Sequence, residues 1–131
     1  MNTRLVMILS AIFLAAIGIS LTFLPNEIAN LTGIGSSKNF QVILQLLGAL
    51  YIAFAMLNWM AKGSIIGGIY NKPIAIANFT HFTIGSLALI KMLINDHSFP
   101  YPVWILACLY SIFALLFGVI FFKHPGSDTE V

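Results

Sequence analysis

The chain has 131 residues, of which 8% are Asp, Glu, Lys or Arg and 60% are hydrophobic. A soluble domain carries about 25% charged residues, so this chain lacks the polar side chains that would cover a water-facing surface. Its net charge of +2 is small and its cations are scattered, which argues against a nucleic-acid-binding surface. These properties indicate a single membrane domain over residues 1–131, with the lipid bilayer as its solvent.

Four apolar stretches are long enough to cross a membrane, which takes roughly 20 residues for about 30 Å of hydrocarbon. They predict spanning helices over about 5–24, 40–60, 73–94 and 103–122, followed by a polar tail over 123–131. Pro25 ends the first stretch, and Pro73 suits a helix start because its missing N–H would have no intrahelical partner there. We therefore expect an all-α fold, an integral membrane four-helix bundle.

The first stretch has an alternative interpretation as a cleaved signal peptide. Arg4 would then supply the positive region, and Ala16-Ile17-Gly18 the small residues at the cleavage site. Against this interpretation, the apolar run continues to Leu24 and so reaches full spanning length. We expect a retained span.

The cations predict the orientation. Four spans place Arg4, Lys62, Lys72 and Lys123 on one side, and Lys38 and Lys91 on the other. Because cytoplasmic loops carry an excess of Lys and Arg, both termini are predicted to be cytoplasmic. The loop over 26–39 is apolar enough to form a short helix on the outer membrane surface.

Small residues recur at matching spacings in the first and fourth spans. Helices in lipid associate through close van der Waals contact, which small side chains permit. The two stripes predict either helix–helix contacts inside the bundle or a face for self-association. Their members are Ala11, Ala15, Gly18 and Thr22 in the first span and Ala107, Ser111, Ala114 and Gly118 in the fourth.

Polar side chains in the second and third spans are the candidates for ligand binding. His81 is the ionisable residue near the predicted midplane, where burying such a group is costly. We hypothesise that Gln41, Gln45, Asn78 and His81 line a site between these spans. The alternative is a neutral structural histidine bonded to Asn78, Gln45 or a backbone carbonyl.

Several kinds of chemistry lack the residues that they need. Glu27, Asp96, Asp128 and Glu130 all lie outside the predicted spans, and Cys108 is the single cysteine. No embedded carboxylate, disulfide or cysteine-based metal site is therefore expected, and no catalytic motif occurs. The sequence leans away from an enzyme, and it indicates neither a metal site nor a particular cofactor.

The layout resembles the DoxX-like group of small four-helix bacterial membrane proteins. The residues that carry the resemblance are Leu24-Pro25 at the end of the first span, the segment Ile28-Ala29-Asn30-Leu31-Thr32-Gly33, and Leu46-Leu47-Gly48-Ala49-Leu50-Tyr51 in the second span. The resemblance implies a fold and a bacterial inner membrane location. Some members of the group are linked to membrane redox or quinone-associated complexes.

Two functions follow as hypotheses. The first is a non-catalytic bundle that forms a homo-oligomer or joins a membrane complex, which the resemblance suggests could be redox-related. The second is a binder of a small lipophilic molecule, such as a quinone, a sterol-like lipid or haem, between the second and third spans. A transporter is a further, less favoured hypothesis, because one histidine and a few amides barely supply the polar path that it requires.

Overall fold

The computed structural model describes residues 2–31, 33, 37–64 and 69–122. Within these ranges the regular structure is helical: five α-helices and one short 3₁₀ turn, Ile69–Asn71. The helices are α1 (Thr3–Phe23), α2 (Pro25–Leu31), α3 (Lys38–Ala61), α4 (Lys72–Asn95) and α5 (Tyr101–Phe122). Lys123, the polar tail and part of the glycine-containing loop over 61–72 lie outside the described residues.

Four of these helices are long and apolar enough to cross a membrane. The shortest, α1, has 21 residues, which corresponds to about 32 Å at 1.5 Å per residue. Their ends lie within two residues of the predicted spans. The prediction of an all-α chain with four long apolar helices is confirmed, and α2 is a short helix in the segment where one was expected.

Local sequence accounts for the helix starts. The side chains of Asn2 and Ser37 accept hydrogen bonds from the backbone N–H groups of Leu5 and Phe40, each at 3.2 Å, and so cap α1 and α3. Helix α5 begins at Tyr101, two residues earlier than predicted. Pro102 therefore lies inside the first turn, where a missing N–H costs no hydrogen bond.

The chain divides into two compact units between Lys62 and Gly63. We call the first, with α1, α2 and α3, the N-terminal hairpin, and the second, with α4 and α5, the C-terminal hairpin. In the N-terminal hairpin α1 and α3 are antiparallel, because Ser10 meets Asn58 while Thr22 meets Gly48. The helix α2 packs through the fully buried Ala29 against Leu21 of α1 and Leu44 of α3.

The C-terminal hairpin is also antiparallel. Leu93 near the end of α4 packs with Val103 near the start of α5. At the other end, the Lys72 ammonium lies 5.6 Å from the centroid of the Phe121 ring. The connecting turn is closed by two hydrogen bonds, from the Asp96 N–H to the Met92 carbonyl and from the Val103 N–H to the Pro100 carbonyl.

Candidate functional site

His81, the histidine singled out in the sequence, pairs with Tyr110 of α5. Its Nε2 atom lies 3.2 Å from the Tyr110 hydroxyl oxygen, and the ring centroids are 5.6 Å apart. Tyr110 is 2% exposed, while His81 is partly buried. Tyr110 was not among the predicted partners, and it places the polar centre of this hairpin between α4 and α5.

This pair belongs to an aromatic cluster, which we define as His81, Phe82, Tyr110, Phe113 and Phe117. Phe82 is fully buried and stacks on Phe113 and Phe117, with centroid distances of 4.9 and 5.6 Å. Its ring edge also meets His81 and Tyr110 at 5.1 and 5.3 Å. Such edge-to-face and offset arrangements suit the quadrupoles of aromatic rings. The His81–Tyr110 pair therefore lies among closely packed aromatic rings.

Gly85 makes room for the Tyr110 ring. A Cβ atom at Gly85 would lie 2.5 Å from Cε1 and 2.7 Å from Cδ1 of that ring. One turn of α4 therefore supplies both the partner of the Tyr110 hydroxyl, His81, and the space for the ring. The sequence offered a signal for this arrangement in the four-residue spacing of His81 and Gly85, which places both on one helix face.

The other predicted ligand residues have local roles. Asn78 is fully buried, and its Nδ2 donates to the Ile74 carbonyl at 3.0 Å. In the N-terminal hairpin, the Gln41 side chain donates to the Asn26 Oδ1 atom and so ties α3 to α2. Gln45 is exposed. A shared cavity of Gln41, Gln45, Asn78 and His81 stays a prediction, since these residues belong to two different hairpins.

In the N-terminal hairpin the small residues bring two backbones together. A Cβ atom on Gly18 would lie 2.9 Å from the Gly48 carbonyl oxygen and from the Ile52 nitrogen. A Cβ atom on Gly48 would lie 2.8 Å from the Gly18 carbonyl oxygen. Thr22 borders the same crossing, and its hydroxyl donates to the Gly18 carbonyl at 2.8 Å. This part of the first stripe therefore packs against α3 within the hairpin.

The stripe of α5 packs less closely. A Cβ atom on Gly118 would lie 3.1 Å from Cε2 of the Phe79 ring, which is a side chain and can move. Ala107 joins a small buried cluster with Leu93 and Val103. Ala114 is buried as well, and the Ser111 hydroxyl donates to the Ala107 carbonyl at 2.8 Å.

A buried hydrogen bond that the sequence did not indicate links α1 to α3. Asn58 Nδ2 donates to Ser10 Oγ at 3.0 Å, and both residues are fully buried. The Ser10 hydroxyl in turn donates to the Met7 carbonyl at 3.0 Å. Ser10 alone would have been interpreted as a residue that bonds to its own helix, so only the tertiary structure shows that it also accepts from Asn58.

Among the described residues, no group of three or more His, Cys, Asp or Glu side chains is placed to hold a metal ion. Thr83 Oγ1 is the one buried side-chain polar atom in that part of the chain without a hydrogen-bond partner.

Comparison with protein-family models, with curated proteins and with solved structures gave no match to this chain.

Proposed function

We propose that this chain is an integral membrane protein with four spanning helices, α1, α3, α4 and α5, and cytoplasmic termini. In this proposal it has no catalytic activity of its own and works by association with itself or with a larger membrane complex. Membership of the DoxX-like group and a place in the bacterial inner membrane are part of the proposal, and they rest on the sequence layout.

The observation that carries the proposal is the exposure of large apolar side chains on all four helices. One example from each helix is Ile12 at 57%, Leu46 at 64%, Ile84 at 63% and Leu115 at 72% exposed. Exposure of so many large apolar side chains is unfavourable in water and favours contact with lipid or with other proteins. The helix lengths match the hydrocarbon thickness, which supports lipid as the main contact.

Several polar side chains of the long helices support the same conclusion, with Thr83 Oγ1 of α4 as an exception. The hydroxyls of Ser20, Thr22, Ser86 and Ser111 all donate to carbonyls of their own helices. Asn58 and Asn78 are buried and hydrogen-bonded as well. Internal satisfaction of polar groups is what a hydrocarbon solvent demands, because it offers no hydrogen bonds of its own.

Membrane extraction tests the first part of the proposal. We expect the tagged chain to stay in the membrane fraction after alkaline carbonate washing and to need detergent for release. Reporter fusions at Gly33 and at the C-terminus should report opposite sides of the membrane. A carbonate-released, monodisperse species in detergent-free buffer would contradict insertion, and two fusions on the same side would contradict the topology.

Cross-linking in native membranes tests the association. We expect products that contain either two copies of this chain or one copy and another membrane protein. Strictly single copies in nanodiscs, together with no cross-links in cells that produce the chain at its natural level, would contradict it.

A second candidate function, binding of a small lipophilic ligand, is favoured by the His81–Tyr110 pair. A polar pair within an aromatic cluster can direct a hydrogen bond to a carbonyl or hydroxyl of an otherwise apolar molecule. Extraction in mild detergent and mass spectrometry of the bound small molecules should then identify a compound that His81→Ala loses. His97→Ala, in the α4–α5 turn, is the matched control. Identical co-purified molecules in both variants would refute this function.

A further inference from the structure

An open apolar groove of about 270 Å³ runs between α1 and α3 of the N-terminal hairpin. Its lining includes Ala11, Ala15 and Ile19 of α1 and Met56 and Trp59 of α3. Met56 and Trp59 are 60% and 50% exposed, so the groove is open on its outer side. The small side chains of Ala11 and Ala15 leave space between the helices that a flexible hydrocarbon chain can fill.

Two cations continue the faces that line this groove. Arg4 precedes Ala11 by seven residues, which turns an α-helix by about 700° and returns it to within about 20° of the same face. Lys62 follows Ala55, another groove residue, by the same seven residues, and it has helical backbone angles of −58° and −22°. Because α1 and α3 are antiparallel, Arg4 and Lys62 lie at the same end of the hairpin.

The Lys62 ammonium is held next to the groove. It lies 3.1 Å from the centroid of the Trp59 ring, a cation–π contact, and Trp59 itself lines the groove. Tryptophan prefers the depth of the lipid headgroups. The hairpin therefore has an apolar groove, a tryptophan that lines it, and two cations beyond the groove at the same end.

We propose that this groove binds one anionic phospholipid, with an acyl chain between α1 and α3 and the phosphate group near Arg4 and Lys62. The proposal rests on the membrane insertion proposed above. A spanning helix of a partner protein could also cover an apolar groove, but it would have no need of two cations at one end. An amphiphile with an anionic head and an apolar tail matches both features.

The experiment is a titration of the intact protein in mild detergent, followed by native mass spectrometry. The probes are phosphatidylglycerol and phosphatidylcholine with identical acyl chains. We expect phosphatidylglycerol to bind more tightly. Arg4→Gln and Lys62→Gln should each weaken its binding about fivefold, since one cation near a membrane surface contributes about that factor. Phosphatidylcholine binding should respond less to either substitution, because its choline group offsets the charge of the phosphate.

Two matched controls distinguish binding of the lipid headgroup from binding of the acyl chain. Lys38→Gln removes a cation at the opposite end of the same hairpin and should leave phosphatidylglycerol binding unchanged. Ala15→Leu fills the groove and should weaken the binding of both lipids, whereas Ala88→Leu, at an exposed position of α4, should weaken neither.

Equal affinities for the two lipids, or equal effects of Lys38→Gln and Lys62→Gln, would overturn the proposal. So would an Ala15→Leu variant with unchanged binding, because the chain would then lie elsewhere. The charge variants change exposed or partly exposed side chains and leave the helix crossing intact. Carbonate extraction of the same variants distinguishes the two proposals, because loss of the lipid site leaves the chain in the membrane fraction.

Discussion

The two hairpins solve the same packing problem with different side chains. In the N-terminal hairpin, Gly18 and Gly48 bring the backbones of α1 and α3 into direct contact. In the C-terminal hairpin, bulky rings fill the space between α4 and α5, with Phe82 at the centre. Both arrangements generate close van der Waals contact, which is the main attraction between helices in lipid because hydrophobicity no longer drives them together.

This difference predicts how the stability of each interface responds when atoms are added or removed. At the Gly18–Gly48 crossing an added Cβ atom would meet backbone atoms of the other helix, which cannot move aside as the end of a side chain can, so the crossing should tolerate no added atom. An aromatic interface can adjust where an added atom meets a ring that can move, as at Gly118 beside Phe79, but not where it meets the buried Tyr110 ring at Gly85. It should lose much stability when a ring is removed. Ring removal should therefore cost the C-terminal hairpin most, whereas an added methyl group should cost more at the Gly18–Gly48 crossing than at Gly118.

The largest loss of stability is expected for the substitution Phe82→Ala. Removing a fully buried ring leaves a cavity, and such substitutions cost about 3–5 kcal/mol in soluble proteins. With the proposed membrane insertion, the unfolded chain also keeps its side chains in lipid, so we expect a loss of about 3 kcal/mol, near the lower end of that range. The measurement is reversible unfolding in mixed micelles. Phe122→Ala, at a position 72% exposed, is the control and should change stability little.

Adding one methyl group should destabilise the chain more at Gly18 or Gly48 than at Gly118. Gly18→Ala and Gly48→Ala each place a Cβ atom within 3 Å of the opposite backbone. We expect a loss of about 2 kcal/mol from overpacking, after a gain of up to about 1 kcal/mol in helix propensity. Gly118→Ala meets only the Phe79 ring and should stay within about 0.5 kcal/mol of the parent chain.

Equal stabilities of the Gly18→Ala and Gly118→Ala variants would contradict this interpretation of the crossing. Reversible unfolding in mixed micelles measures the stabilities of both variants. Gly63→Ala serves as a further control, because no atom lies within 4 Å of its Cβ position.

The polar pair of each hairpin should contribute less to the free energy of unfolding. Double-mutant cycles with Ser10→Ala and Asn58→Ala, and with His81→Ala and Tyr110→Phe, isolate the two pairwise terms. Hydrogen bonds between membrane helices average about 0.6 kcal/mol, and we expect coupling energies of that size. The Ser10–Asn58 term should be the larger, because both of its residues are fully buried while His81 is partly exposed. A larger His81–Tyr110 term would reverse our ranking.

The sequence predicts the elements of both hairpins better than their contacts. Apolar run length and the prolines place the helix ends because both properties are local. Gly18 also stands out, since a glycine within a stripe of small residues favours close approach. The partner of His81 could not be predicted, because the register of α4 against α5 depends on how Phe82, Phe113 and Phe117 interlock. A tyrosine inside an apolar run gives no sign of the helix that it faces.

The smallest predicted effect on stability concerns the turn that joins α4 and α5. Hydrogen bonds from the Ser98 side chain and backbone hold the pKa of Asp96 below its ordinary value of 3.8, and the backbone bond is 2.8 Å long. A carboxyl group with a lowered folded-state pKa stabilises the fold above its unfolded pKa, and this contribution is lost as the pH falls through the folded pKa. Stability should therefore decrease slightly on acidification below about pH 4.

Ser98→Ala removes the side-chain bond and keeps the backbone one, so the pKa of Asp96 should rise part of the way towards 3.8. An NMR titration of the Asp96 carboxyl carbon in micelles measures this directly. The effect should be local to the turn of the C-terminal hairpin, because Ser98 and Asp96 both lie there. A pKa that does not move in Ser98→Ala would show that the backbone N–H alone stabilises the carboxylate. In that case the turn geometry, and not the serine side chain, would set the acid response of this hairpin.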